Sequence, residues 1–261
     1  MAEPVPVMYH RGLEPPLNLA IEEALAYSAC AGHRRIVARI WVNPRSIIIG
    51  RTLKPCEEVY CEAAEELRVG IYRRITGGGA VYHDEGNINI TVAWRSRGRL
   101  KVDEVYRLGT SIILMALERL GVEAWVENTS DVVVQGWKVS GSAAYASKCA
   151  NLFHATLLVE ADMETLRRVI KPRLDRIARG EVTPAKYRPG NLAEIVGISM
   201  SEAFRSLEDA LNHSIGEPRR DRLTELEELV AQKLYHEKYS TEEWNIKGSA
   251  KIYLRGLAQD Y

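Results

Sequence analysis

Residues 71–94 read IYRRITGGGAVYHDEGNINITVAW, and the fold turns on this stretch. Runs rich in β-branched and aromatic residues flank a triple glycine and a second turn signal, which predicts two strands joined across a loop. Strand alternation places Arg74 and Thr76 on one face and Arg73 and Ile75 on the other, so one arginine enters the glycines from the side of a hydroxyl. Three consecutive glycines cost roughly 0.5–1 kcal/mol each against alanine in regular structure. Such a run is usually kept for close approach to something, and exposed amides beside a guanidinium suit a phosphate or an adenylate. A plain hairpin loop or β-bulge is the other reading of Gly77, Gly78 and Gly79. No Gly-Lys-Ser/Thr follows and GxGxxG is absent, which excludes a Walker loop and a dinucleotide fingerprint.

Upstream, Leu17 to Ala31 carries apolar residues three and four apart after a proline-rich start, as in an amphipathic helix. RIVARIWV and SIIIG read as adjacent strands around the Asn43-Pro44 turn, and Cys56 to Arg68 as a short helix. Downstream, Asp103 to Leu120 reads as a helix. EAWVE and SDVVVQGWKVSGSAAY read as strands, the latter folding at Gln135-Gly136, and FHATLLVE as another strand. Helices then follow: DMETLRRVI, SEAFRSLEDAL behind a Ser199/Glu202 capping box, and a longer one from about Arg222 to His236. Residues 173–191, rich in charge, glycine and proline without periodicity, read as a mobile loop. Strands dominate the first half and helices the second, which predicts an α+β domain with mixed sheets rather than a doubly wound fold.

One domain is expected, since single α/β domains commonly reach roughly 200–250 residues and the chain has 261. With 35 basic and 35 acidic residues the formal charge is zero, so no global field argues for nucleic acid or a membrane surface. No apolar run approaches the ~18–20 residues of a spanning helix, and the start MAEPVPVMYHRG lacks the features of a secretory signal. The expectation is a soluble, cytoplasmic protein with reduced thiols. Cys30, Cys56, Cys61 and Cys149 form no CxxC or Cys/His pattern, so they read as buried or incidental thiols rather than disulfides or zinc ligands.

Lys138 follows the predicted turn in DVVVQGWKVSGSA, among apolar and small residues. Pointing inward, it needs an anion; pointing outward, it is a solvated strand lysine. Asp131 is a candidate to orient that lysine or to hold magnesium, or is a structural turn carboxylate. Gly141, Ser142 and Ala143 leave room for a ligand. His154 is either a ligand contact or a hydrogen-bonded histidine at a strand start, Asn18 a site residue or a helix cap, and Lys148 faces phosphate or solvent.

The glycine stretch resembles the RRxSGGGAVxHDxGN signature of the lipoate-protein ligase A family, with Thr76 in the serine position. The likeness extends through LNLAIEEAL, IIIGRTLKPCEEV, SDVVVQGWKVSGSA, FHATLLVEADMETLRRVIKP and KYSTEEWN, in the same order and spacing. It implies the biotin/lipoate protein ligase catalytic-domain fold, mixed and antiparallel sheets flanked by helices. By resemblance, Arg74, Gly77, Gly78, Gly79 and His83, with Thr76 and Val81 in the same signature, line a lipoyl-adenylate pocket. Lys138 matches the lysine of the family's K[VI]xGSA motif, required for activity, and His154 and Asn18 match family positions. The resemblance implies ATP and magnesium as cofactors, lipoate as substrate, and transfer through lipoyl-AMP to a lysine of a lipoyl domain or of the glycine-cleavage H protein. An apolar slot for the dithiolane and its alkyl chain is expected from Ile48, Ile90 and Val92.

The sequence departs from single-chain bacterial ligases, which continue past KYxxxEWN into a small C-terminal domain. The expectation is a catalytic domain over 1–247 and a tail over 248–261 without that further domain, as in the large subunit of two-part archaeal ligases. A small accessory subunit, forming a heterodimer and needed for adenylation, is the implied partner. An octanoyltransferase of the same superfamily needs a placed cysteine, which neither Asn128-Thr129-Ser130 nor Pro189-Gly190-Asn191 supplies; Cys149 is its remaining candidate. A biotin-protein ligase would carry a GRGRxGR-like loop, and a non-catalytic scaffold would not need Lys138.

Overall fold

The computed structural model describes residues 5–96, 98, 101–182, 184–215 and 218–250. Strand β1 (Val5–Arg11) leads into helix α1 (Pro15–Cys30), then β2 (Ile36–Val42), β3 (Ser46–Ile49), α2 (Pro55–Glu58), α3 (Cys61–Glu66), β4 (Gly70–Arg73), β5 (Val81–His83) and β6 (Asn87–Arg95). Next come α4 (Val102–Arg119), β7 (Trp125–Glu127), β8 (Asp131–Val134), β9 (Trp137–Ala146) and β10 (Ala150–Leu158). The remainder is α5 (Met163–Val169), α6 (Leu174–Ala178), β11 (Arg188–Pro189), α7 (Leu192–Val196), α8 (Met200–Ile215), β12 (Pro218–Arg220), α9 (Glu225–Leu234) and α10 (Glu242–Asn245), with a π-helical turn at Tyr235–Tyr239. Among the described residues no helix is long and apolar enough to cross a membrane.

The large sheet runs β12-β1-β2-β6-β10-β9-β8-β7, with β11 beside β9, and the small one β4-β3-β5. Parallel pairs (β1 with β2 and β12) and antiparallel pairs coexist, the mixed α+β arrangement expected. The segment NINITV shows why the large sheet has two unlike faces. Ile88, Ile90 and Val92 pack with Phe153, Ala155, α4 and α8, whereas Asn89, Thr91 and their cross-strand partners Trp41, Arg39, Thr156 and His154 face the other way, toward α1. That second face is where polar side chains are buried.

Several expectations need correction. Helix α1 is not amphipathic: every residue of it except Leu17 is buried, because it is sandwiched between the large sheet and α9. Strands β2 and β3 are consecutive but lie in different sheets, the Asn43-Pro44 turn carrying the chain from one to the other. β4 and β5 do not pair across the glycines; β3 lies between them, parallel to β4 and antiparallel to β5. Residues 173–191 are not structureless. They hold α6, whose Arg176 ion-pairs with Glu58 at 2.5 Å, and β11, which pairs with Trp137 and Lys138. The last long helix is shorter, starting at a Thr224/Glu227 capping box and passing into the π-turn.

The cysteines are paired: Cys30 with Cys149 (Cα–Cα 4.7 Å) and Cys56 with Cys61 (Cα–Cα 5.5 Å). Spacing along the chain could not reveal the first pair, since its partners are 119 residues apart and meet only where the end of α1 packs on the β9–β10 turn.

Arg73 ties the segment after β3 to α10. Its guanidinium donates to the carbonyls of Gly50, Arg51 and Leu53 on one side and of Trp244, Asn245 and Ile246 on the other. The indole of Trp244 returns a bond to the Arg73 carbonyl at 2.7 Å.

Candidate active site

A cavity opens between the polar face of the large sheet, α1 and the small sheet. Its apolar wall is Leu19, Ile48, Val81 and Trp41; its polar wall is Glu22, Arg74, His83, Asn89, His154 and Thr156, with Gly141, Ser142, Ala143 and Ala155 completing it. Ile90 and Val92, expected in the apolar slot, lie in the core on the opposite face, because residues two apart on a strand share a face and Asn89 and Thr91 hold the inner one.

Lys138 reaches this side through a β-bulge. Val132 pairs with Ser140 and Val133 with Lys138, so Val139 is the extra residue. Were this same sequence paired regularly, Val139 included, alternation would put Lys138 on the face of Ser140 and Ser142. With the bulge, Lys138 shares the face of Gly141 and Asp131, and its ammonium lies 2.8 Å from Asp131 Oδ1. A Cβ at position 141 would crowd the lysine, falling 3.1 Å from Cε and 3.2 Å from Nζ. The hairpin that carries both is set by Gln135 and Gly136, each in the left-handed region at φ 47° and 80°, as a two-residue primed turn requires.

The glycine loop is built around Arg74. Its guanidinium, fully buried, donates to Thr76 Oγ1 (3.0 Å) and to the carbonyls of Ile48, Gly77 and Gly79. Burial lowers its pKa to about 10, and it remains a cation at neutral pH. Arg74 therefore shapes the loop as well as lining the cavity. Gly77 and Gly78 are exposed, while Gly79 is packed so closely that a Cβ would fall 2.2 Å from Glu58 and 2.3 Å from Arg173. Glu58, itself buried, accepts from the Ala80 amide at 2.9 Å and pairs with Arg173 at 3.1 Å, which brings a second guanidinium to the loop.

Thr76 connects loop and sheet. Its hydroxyl is 2.8 Å from His154 Nε2, and His154 Nδ1 is 2.9 Å from Glu22. Burial would raise the Glu22 pKa, but His154, Thr91 and Arg39 outweigh it and hold the carboxyl below its usual range. Thr91 in turn takes a bond from the Trp41 indole at 2.8 Å, so the cavity floor is one hydrogen-bonded network. His83 has Nδ1 3.2 Å from Asn43, whereas its buried Nε2 has no partner. Burial, reinforced by Arg74, pushes its pKa down to about 3, so the ring is neutral. An unpaired buried polar atom costs about 1–3 kcal/mol, a cost a ligand atom in the cavity would remove.

A model of the lipoyl protein ligase A/B catalytic domain matches residues 14–212. The chain is 48% identical to a provisionally named lipoate-protein ligase A of Aeropyrum pernix, over 88% of this chain and 87% of that one. It belongs to the lipoyl protein ligase A/B family. The structure superposes on a bi-partite lipoate protein ligase of Thermoplasma acidophilum, solved in a study with its E2 lipoyl domain, with TM-score 0.83 at 30% identity, covering 97% of this chain and all of that one. It also matches a lipoate-protein ligase A bound with ATP, with TM-score 0.82 at 29% identity, covering 95% and 100%.

On this lipoyl protein ligase fold, eight sequence-predicted residues, Ile48, Arg74, Val81, His83, Gly141, Ser142, Ala143 and His154, line one cavity. Thr76 joins it through His154, and Lys138 and Asp131 stand beside Gly141. Gly77, Gly78 and Gly79 form the loop that Arg74 grips, outside the cavity lining. Asn18 is no cap: Glu14 holds that position, and the Asn18 amide bonds Asn43. Lys148 is exposed on the β9–β10 turn. Sequence reasoning missed Glu22, Trp41, Asn43, Glu58, Asn89, Thr156 and Arg173. The alternation Asn87-Ile88-Asn89-Ile90-Thr91 held a signal, since polar residues on the inner face of a buried strand mark a site rather than a core.

Proposed function

We propose that this chain is the catalytic subunit of an ATP-dependent lipoate-protein ligase. The observation that carries the reading is Lys138, turned by the bulge onto the face that holds the Thr76–His154 link to the glycine loop. The lipoate carboxylate attacks the α-phosphorus of ATP and pyrophosphate leaves; the amine of an acceptor lysine then attacks the acyl carbon of lipoyl-AMP and AMP leaves. Lys138 stabilises negative charge that grows on the phosphate oxygens in the first step and on the acyl oxygen in the second, held for this by Asp131. The glycine loop, fixed by Arg74 and Glu58, offers amides to the adenylate.

Magnesium typically takes one or two carboxylates plus substrate phosphates. Among the described residues no cluster of three or more His, Cys, Asp or Glu is suited to a metal, so such an ion would rely on phosphates, with Asp131 as its carboxylate, and would shield their charge.

The acceptors are lipoyl domains of E2 proteins and the glycine-cleavage H protein, and a small accessory subunit completes a heterodimer around a catalytic domain over 1–247. One chain of the bi-partite Thermoplasma acidophilum ligase is matched over its full length, which supports that division. The setting is cytoplasmic. An octanoyltransferase is disfavoured because the relatives are ligases and no cysteine is free to carry a thioester.

Incubating the chain, with and without the accessory subunit, with ATP, lipoate and a lipoyl domain tests the reading. The expected result is a lipoyl mass shift on one lysine. Transfer of octanoyl from carrier protein in place of ATP-dependent lipoylation would reject it.

A further inference from the structure

The orientation of His83 can be read from an obligate donor three hydrogen bonds away. A guanidinium has no acceptor, so the contact from Arg39 Nη2 fixes Asn18 Oδ1 as the receiving atom and leaves the Asn18 amide nitrogen to donate. That nitrogen donates to Leu13 O (3.1 Å) and to Asn43 Oδ1 (2.7 Å). Asn43 must then present its own Nδ2 to His83 Nδ1, 3.2 Å away. Nδ1 therefore accepts, and in a neutral imidazole the proton resides on Nε2. Nε2 is the buried atom without a partner, on a residue that lines the cavity.

We propose that Arg39, Asn18 and Asn43 are positioning residues that hold His83 in the Nε2–H tautomer, so that it donates a hydrogen bond to an oxygen of the bound acyl group. The inference rests on the lipoate-ligase reading. Of a lipoyl group's atoms, the acyl oxygens are strong acceptors and the dithiolane sulfurs weak ones. A neutral donor suits a cavity that already contains the Arg74 cation, since an imidazolium beside it would add like-charge repulsion, whereas an N–H aimed by neighbours adds a bond without a charge.

Nitrogen-15 NMR of the full chain's histidine rings, with and without lipoate, tests this. The wild type is expected to show His83 protonated on Nε2 alone from pH 5 to 8, with that proton shifting on addition of lipoate. Asn43→Asp replaces the donor by a carboxylate that only accepts; it is expected to draw a proton onto Nδ1 and to weaken lipoate binding at least tenfold. A wild-type ring protonated on Nδ1 overturns the proposal, as does an Asn43→Asp ring that moves its proton while lipoate affinity stays unchanged. Both results leave lipoate ligation itself intact. The wild-type spectrum decides the tautomer even where Asn43→Asp fails to fold. A wild type with the expected tautomer that binds no lipoate overturns the functional reading, and the identity of the accepting oxygen with it.

Discussion

Lys138 Nζ stands 2.8 Å from Asp131 Oδ1, two residues on facing strands brought onto one face by the extra residue Val139. The pair is partly open to solvent, so its value lies in aiming the ammonium rather than in stability. Lys138→Ala is expected to lower kcat/KM for transfer from lipoyl-AMP by roughly 10²–10³, the range for removal of a group that meets developing charge. Asp131→Asn should cost less. An Asp131→Asn loss as large as that of Lys138→Ala would show that the carboxylate has a further role.

Deleting Val139 would close the bulge into regular pairing, with Lys138 directly before Ser140 and opposite Val133, and so would keep the lysine on the face of Gly141 while removing a buried core side chain. The expected outcome is acyl transfer retained per folded molecule with a lowered midpoint in chemical denaturation, since a packed core side chain is lost. Transfer lost from a folded variant would mean that the lysine depends on the local geometry of the bulge and not only on the face it occupies.

Stability should fall as pH falls below neutrality. His83 has its pKa lowered to about 3, chiefly by burial, against an ordinary value near 6.5. Between these values the unfolded chain binds the proton and the folded chain does not, so this contribution is fully present above about pH 6.5 and is lost toward pH 3, by up to about 1.4 kcal/mol per pH unit. His10, lowered to about 4 mainly by burial, acts in the same direction. Urea unfolding at pH 7 and pH 5 should show the slope, and His83→Gln should reduce it; an unchanged slope would contradict the assignment.

The Cys30–Cys149 bridge closes a loop of 119 residues, so Cys149→Ser should cost about 2–5 kcal/mol. Acyl transfer per folded molecule should remain, because the sulfur is no nucleophile. Cys61→Ser, opening a bridge between residues only 5 apart, should cost less. Denaturation with and without reductant, followed by thiol counting, separates the two. Transfer abolished in a folded Cys149→Ser would point back to a cysteine mechanism.

Gly50 is held by the glycine loop from behind: a Cβ there would fall 2.1 Å from the Gly78 carbonyl, whereas Gly77 has nothing within 4 Å. Gly50→Ala should destabilise by about 1–3 kcal/mol and depress adenylate binding, while Gly77→Ala should leave the fold unchanged. Thermal unfolding of the two variants side by side tests this, and equal midpoints would refute it.

The signature from Arg73 to Asn87 made the glycine loop visible in the sequence, and the Gln135-Gly136 turn and the Ser199 capping box were correctly placed by local chemistry alone. What escaped depends on contacts between distant segments. The assignment of β2 and β3 to separate sheets depends on how the layers stack, and the Cys30–Cys149 bridge on where α1 ends in space. Parity also failed at the bulge, where one inserted residue reverses which side chains look inward. Glu22 and Arg39 escaped because charged residues on a helix and a strand ordinarily signal solvent, and only the folded molecule shows both buried in one network.

Arg73 has a last implication, for where the polypeptide can be cut. The family match ends at residue 212, yet the guanidinium at the root of the glycine loop is satisfied by three carbonyls some thirty residues further on. Trimming the molecule at the matched boundary would remove half the partners of a buried cation and unmoor the glycine loop from its footing. The segment at residues 244–246 is thus the keystone of the arch rather than its ornament.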